Sequence, residues 1–193
     1  MPELDGGAAR RELLGHRGAV VWLTGLPGAG KSTLARGLER GLLASRVLPA
    51  VVDGDELRRG LSERLGFSPE DRRENIRRAA ALALALAEAG LVAIVALISP
   101  YAADRDEAAR RFRARGIPFV EVYVNAPREV CEQRDPKGLY REARAGRLEG
   151  LTGLDSPYEP PPHPALELRT GDEDEQACVQ RLREIALRIA LSG

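Results

Sequence analysis

An apolar run, Ala19 to Leu23, leads directly into Gly25-Leu26-Pro27-Gly28-Ala29-Gly30-Lys31-Ser32-Thr33, and a helix-forming segment follows. This is the pattern G-x-x-x-x-G-K-[ST] in the strand–loop–helix setting it requires. It commits the chain to an α/β architecture in which a buried strand feeds a phosphate-binding loop. Gly25, Gly28 and Gly30 let the backbone curl with its N–H groups turned inward as an anion nest. The helix beginning near Lys31 adds its positive end. Lys31 is placed to reach β- and γ-phosphate oxygens, and the Ser32 hydroxyl to ligate Mg²⁺. A chance glycine-rich turn has no reason to combine strand, spacing and helix. The segment reads as a site for a nucleoside triphosphate.

The 193 residues fit a single α/β domain. Lys plus Arg and Asp plus Glu number 29 each, so no global field attracts nucleic acid or a membrane surface. Cys131 and Cys178 lack C-x-x-C spacing and read as small buried residues. Residues 1–17 are charged and Gly-rich, an N-terminal arm rather than a secretory leader, and a cytoplasmic location is expected. Ala79 to Ile98 carries only Glu88 as a charge and approaches the length of a membrane span. Its halves differ, however. Ala79–Ala89 forms helix, Gly90 stops it, and Leu91–Ile98 is a short core strand.

Strand candidates at Ala19–Thr24, Leu48–Val52, Leu91–Ile98, Phe119–Val124 and Ala165–Leu168 alternate with helix candidates. The helices are expected at Lys31–Ser45, Asp55–Glu63, Glu70–Ala89, Ala103–Arg115, Arg128–Arg134 and Asp174–Leu191. The alternation implies a three-layer P-loop NTPase fold: a parallel sheet of about five strands with helices on both faces. Residues 134–164 break the rhythm with polar, basic and Pro-rich stretches, and read as a mobile lid and acceptor loop.

Ligands of open parallel sheets gather at the carboxyl ends of the strands. There the second strand delivers Asp53-Gly54-Asp55 and Arg58, and the third delivers Ser99-Pro100-Tyr101. Asp55 is expected to cap the helix starting at Glu56, and is the preferred functional carboxylate because it lies farther out. No Asp follows the third strand until Asp104, so the metal shell rests on Ser32, phosphate oxygens, water and the Asp53/Asp55 pair. Arg72, Arg73, Arg77 and Arg78 form one basic cluster, with Asn75 on the face of Arg72; Lys137, Arg141 and Arg144 form another. Two basic clusters in a neutral chain point to a polyanionic acceptor and a charge-clamping lid. His16 and His163 have no ligand-like partners and read as surface or turn residues.

Six motifs, taken in order, go beyond a generic phosphate loop. They are Trp22-Leu23-Thr24-Gly25-Leu26; Asp53-Gly54-Asp55 with Arg58; Leu65-Gly66-Phe67-Ser68-x-x-Asp71-Arg72-x-Glu74-Asn75-Ile76-Arg77-Arg78; Ile98-Ser99-Pro100-Tyr101; Arg134-Asp135-Pro136-Lys137-Gly138-Leu139-Tyr140; and Thr152-Gly153-x-Asp155-Ser156-Pro157-Tyr158-Glu159. Over about residues 17 to 170 the chain resembles the adenylylsulfate kinases (APS kinases). The resemblance implies transfer of phosphate from ATP to the 3′-hydroxyl of adenosine 5′-phosphosulfate (APS), giving 3′-phosphoadenosine 5′-phosphosulfate (PAPS) and ADP, in sulfate activation. It implies Mg²⁺ as cofactor and a homodimer. ATP would be held by Gly25 through Thr33 and by Arg134 near its adenine. APS would be held by Asp55, Arg58, Phe67 (stacking on adenine), Arg72, Asn75, Ile98, Ser99, Leu151 and the lid residues Lys137, Gly138 and Leu139. Catalysis would fall to Lys31, Asp55 and Ser99. Ser99 is a phosphoenzyme candidate in some accounts of the family, but direct in-line transfer is the simpler expectation.

The sequence departs from the family at two positions. Pro27 stands where the family usually has Ser, which removes one N–H from the loop. Leu151 stands where the family typically has Phe, which should weaken stacking on the acceptor adenine and with it APS binding. Two other readings share the loop. A kinase of another small metabolite would lack the acceptor set of Phe67, Arg72, Asn75 and the lid. A catalytically silent nucleotide sensor would have lost Lys31, Ser32 or Asp55.

Overall fold

The structure, a computed structural model, describes residues 6–192. Its elements are α1 (Gly6–Leu14), β1 (Ala19–Thr24), α2 (Lys31–Ala44), β2 (Pro49–Asp53), α3 (Gly54–Arg59), α4 (Pro69–Glu88) and β3 (Val92–Ala96). They continue with α5 (Ala102–Ala114), β4 (Phe119–Asn125), α6 (Arg128–Arg134), α7 (Leu139–Arg144), β5 (Leu166–Arg169) and α8 (Glu175–Leu191). The five strands form one sheet in the order β2-β3-β1-β4-β5, every neighbouring pair parallel.

β1 is apolar at almost every position because both of its faces are buried. Ala19, Val21 and Leu23 face the α2/α8 layer, where they join Leu34, Leu38, Leu182 and Ile185. Val20 and Trp22 face the α4/α5 layer with Ile76, Ala79, Ala83 and Phe112. Alternation of side chains along a strand supplies both layers from one apolar run. On the α4 side the small residues let helix and sheet approach closely. Phe112 fills the gap there, its ring 6.3 Å from Trp22 and 5.3 Å from Phe119. Such aromatic pairs add about 0.5–1.5 kcal/mol each beyond area burial.

The stretch from Ala79 to Ile98 is helix, turn and strand, as its two halves imply. α4 begins at the Ser68 cap, whose hydroxyl accepts from the Asp71 N–H, and Gly90 (φ 100°) turns the chain into β3. Among the described residues no helix is long and apolar enough to cross a membrane. Cys131 and Cys178 are buried and unpaired by disulfide.

Four local readings are corrected. The helix after β2 starts at Gly54, and its cap is Asp53, whose side chain accepts from the Asp55 N–H at 2.9 Å; Asp55 itself lies one residue inside the helix. His16 is no surface residue: it is buried, and its Nε2 accepts the Leu48 N–H at 3.0 Å, tying the end of the N-terminal arm to the start of β2. Within that arm Gly6–Leu14 is helical, while residues 1–5 lie outside the described residues. The segment 134–164 is less irregular than its composition suggests. The Asp135 carboxylate accepts the Tyr140 and Arg141 N–H groups and starts the short helix α7.

Candidate active site

The sheet order places β1 between β3 and β4, so the chain leaves β1 toward opposite sides, and a crevice opens at the carboxyl ends beside it. A cavity of about 740 Å³ occupies this crevice. The phosphate loop forms its floor. Two glycines there are dictated by close approach: a Cβ on Gly25 would stand 2.3 Å from the Val124 carbonyl oxygen, and one on Gly28 (φ 79°) 2.7 Å from that of Cys131. A side chain at either position would push the loop off β4 or α6.

Lys31 begins α2 and folds back over the loop. Its Nζ donates to the carbonyls of Gly25 (2.8 Å) and Leu26 (2.7 Å). Burial pulls its pKa down to about 8, and neighbouring Lys137 pushes the same way; Cys131, Asp53 and Asp55 oppose them. Ser32, the next residue, donates from Oγ to Asp53 Oδ2 at 2.7 Å. Asp53 thus uses one oxygen to cap α3 and the other to hold the loop serine. Asp55, about half exposed, forms an ion pair with Lys137 across the cavity mouth. At the far end of the loop the Tyr140 hydroxyl donates to the Pro27 carbonyl at 3.1 Å, and Thr170 Oγ1 donates to the Ala29 carbonyl at 2.8 Å. Arg134 reaches the Gly28 and Thr170 carbonyls.

The other half of the cavity is built by α3, α4 and the turn after β3. Arg58 donates to the carbonyls of Leu65 and Gly66, and its guanidinium stacks 4.3 Å from the centre of the exposed Phe67 ring. Arg72 and Asn75 emerge from one face of α4, both buried, and Asn75 Oδ1 has no hydrogen-bond partner among the described residues. A buried amide oxygen without a partner, on a cavity wall, is an acceptor waiting for a ligand donor. Ser99 sits in the left-handed region (φ 41°), its hydroxyl accepting from Trp22 Nε1 at 3.1 Å.

The sequence profile described as "Adenylylsulphate kinase" matches residues 17–169 of this chain. The chain belongs to the adenylylsulfate kinase family. It is therefore an ATP-dependent enzyme that phosphorylates APS to PAPS. Similar proteins include an adenylyl-sulfate kinase of Pseudomonas aeruginosa, 50% identical over 174 residues, covering 90% of this chain and 87% of that protein. Adenylyl-sulfate kinase 3 of Arabidopsis thaliana is 50% identical over 173 residues, covering 90% of this chain and 81% of that protein. Among solved structures, the Mycobacterium tuberculosis APS kinase CysC in complex with AMPPNP and APS superposes with a TM-score of 0.85 at 45% identity. The match covers 88% of this chain and 97% of that one.

Of the residues expected in an APS kinase site, the cavity is lined by Pro27, Gly28, Gly30, Lys31, Ser32, Thr33, Asp55, Arg58, Phe67, Arg72, Asn75, Ile98, Ser99, Arg134, Lys137 and Leu139. Gly25 lies against the Val124 carbonyl, Ala29 is buried in the α2/α8-side core with Leu26 packed against it, and Gly138 (φ 68°) serves as the cap of α7. Leu151 is not brought to the cavity. It is buried in the α2/α8-side core, so its place is packing rather than stacking on an acceptor ring.

The basic clusters also divide. Arg73 pairs with Asp104, Arg77 and Arg78 with Glu74, and Arg144 with Glu132, so these charges are already matched. Glu74 lies three and four residues from its two arginines, the helical spacing that makes such pairs neighbours. Only Arg72 of the first cluster and Lys137 of the second line the cavity.

Three features of the site escaped the sequence. Thr170 stands just past the end of β5 and belongs to none of the six motifs. Tyr140 closes the Arg134–Tyr140 motif, and nothing in that motif announces the bond from its hydroxyl to the Pro27 carbonyl. Buried Arg105 donates to Glu121 Oε1 (2.6 Å), the Ser99 carbonyl (2.8 Å) and the Glu159 carbonyl (2.8 Å), and so holds the turn that carries Ser99.

Proposed function

We propose that this enzyme transfers the γ-phosphoryl group of ATP directly, in line, to the 3′-hydroxyl of APS, with no phosphoserine. Asp55 orients that hydroxyl and takes its proton. Lys31 exchanges its two carbonyl acceptors for β- and γ-phosphate oxygens, and Lys137 turns from Asp55 to the charge developing on the transferred group. Arg134 and Thr170 lie on the side of the ATP base; Phe67, Arg72 and Asn75 receive APS.

One contrast carries this reading. The Asp55 carboxylate is half exposed at the cavity mouth, whereas the Ser99 hydroxyl is buried and engaged by Trp22. A nucleophile must approach within about 3–3.5 Å of the γ-phosphorus along the reaction axis. Ser99 would have to abandon its indole partner and its left-handed backbone to do so.

The residues at the loop fit Mg²⁺. Ser32 and Asp53 offer a hydroxyl and a carboxylate 2.7 Å apart, all-oxygen donors beside the phosphate cradle. Ser32 would hold the ion, with Asp53 orienting Ser32. When bound, Mg²⁺ neutralises phosphate charge and aligns the γ-phosphoryl group.

The test is Ser99→Ala, assayed for APS-dependent PAPS formation, with a search for phosphoserine in wild-type protein incubated with ATP. Retained turnover within about tenfold supports direct transfer. Abolished turnover together with a trapped phosphoserine at position 99 would overturn it.

A further inference from the structure

Arg72 projects into the acceptor half of the cavity from the first turns of α4, but its direction is set by a segment 80 residues away. Its Nε donates to the Phe67 carbonyl at 2.8 Å. Its two terminal nitrogens donate to Thr152 Oγ1 and to the Gly150 carbonyl. An arginine carries five N–H donors in a planar fork, so two of them, one on each terminal nitrogen, remain for a ligand.

The segment that supplies two of the three acceptors is itself locked. The Leu151 carbonyl accepts the N–H groups of Leu154, Asp155 and Ser156, and the Gly150 N–H donates to Asp155 Oδ2 at 2.7 Å. Thr152 is 1% exposed and Leu151 is anchored in the core. Farther along, the Glu159 N–H donates to the Pro100 carbonyl at 2.8 Å and the Glu159 carboxylate accepts from Ala102 N–H. The strap from 150 to 159 is therefore fixed at both ends, against α4 and against the turn after β3.

We propose that Thr152 is a positioning residue for APS: its hydroxyl fixes the Arg72 guanidinium so that the two remaining N–H groups face the acceptor anion. The inference rests on the APS kinase reading above. Thr152 does not line the cavity, so it acts only through Arg72. Replacing it by valine keeps the shape but removes the acceptor. A buried guanidinium N–H then lacks a partner, and the fork must be ordered by the substrate at binding.

Steady-state kinetics of Thr152→Val and Thr152→Ser, with melting temperatures, test this. Wild-type turnover of APS is the control; its absence would refute the functional reading rather than this one. The expected result for Thr152→Val is a KM for APS raised about tenfold or more, with kcat and the KM for ATP within about twofold of wild type. Thr152→Ser, which keeps the hydroxyl, restores the KM for APS. If valine does not yield folded protein, Thr152→Ala takes its place with the same outcomes. An unchanged KM for APS, equal losses in kcat and in the KM for ATP, or a serine variant as impaired as valine would each overturn the proposal.

Discussion

Lys31 carries its ammonium out of water, against two carbonyls of its own loop, and burial lowers its pKa from 10.5 to about 8. That displacement corresponds to about 3 kcal/mol by which the folded protein disfavours the charged amine. The unfolded chain therefore binds more protons between pH 8 and 10.5. The cost to stability is present in full below pH 8 and is relieved as the pH climbs through that window. For catalysis the sign reverses, because the phosphates need the charged form. Since kcat/KM for ATP reports groups of the enzyme before ATP binds, it should fall along a basic limb centred near pH 8, by about tenfold per pH unit beyond it. Bound phosphates favour the ammonium, so the limb in kcat should lie at higher pH. The assay is direct separation of PAPS from APS between pH 6.5 and 10 at saturating APS, with Lys31→Arg as control. Arginine keeps its charge over this range, so that variant is slower but loses the limb. A kcat/KM for ATP that stays flat to pH 10 would refute the argument that burial sets the state of Lys31.

Three further perturbations follow from the geometry. Asp55→Ala should lower kcat on the order of 10²-fold with only a small change in melting temperature, because Asp55 is half exposed and does not cap α3; rapid-quench turnover checks it. Leu151→Phe should destabilise the fold by about 1–3 kcal/mol through overpacking of the core beneath the 150–159 strap, which urea unfolding would show as a lowered midpoint. His16→Leu should cost about 1–3 kcal/mol in urea unfolding, since the Leu48 N–H would lose its acceptor; an unchanged midpoint would remove His16 from its structural place.

Much of this protein is readable residue by residue because the physics involved is local. A run of apolar residues followed by Gly25, Gly28, Gly30, Lys31 and Ser32 can hardly do anything other than bury a strand and present a nest, since spacing alone defines both. The break of Ala79–Ile98 at Gly90 and the shared face of Arg72 and Asn75 are equally short-range consequences of backbone period and glycine conformation. Errors of one residue are harder to avoid, as with the cap that fell to Asp53, because two aspartates flank one glycine and only the path of the chain chooses between them. Burial and partnering over distance were illegible. Nothing near His16 announces the Leu48 amide, nothing near Leu151 announces the core, and nothing near Arg72 announces a hydroxyl 80 positions later. Matched charges hid in the same way, for Arg73 finds Asp104 only once α4 and α5 pack. Motif chemistry depends on neighbours in sequence, whereas orientation, desolvation and the choice of which arginine remains free depend on neighbours that packing alone supplies.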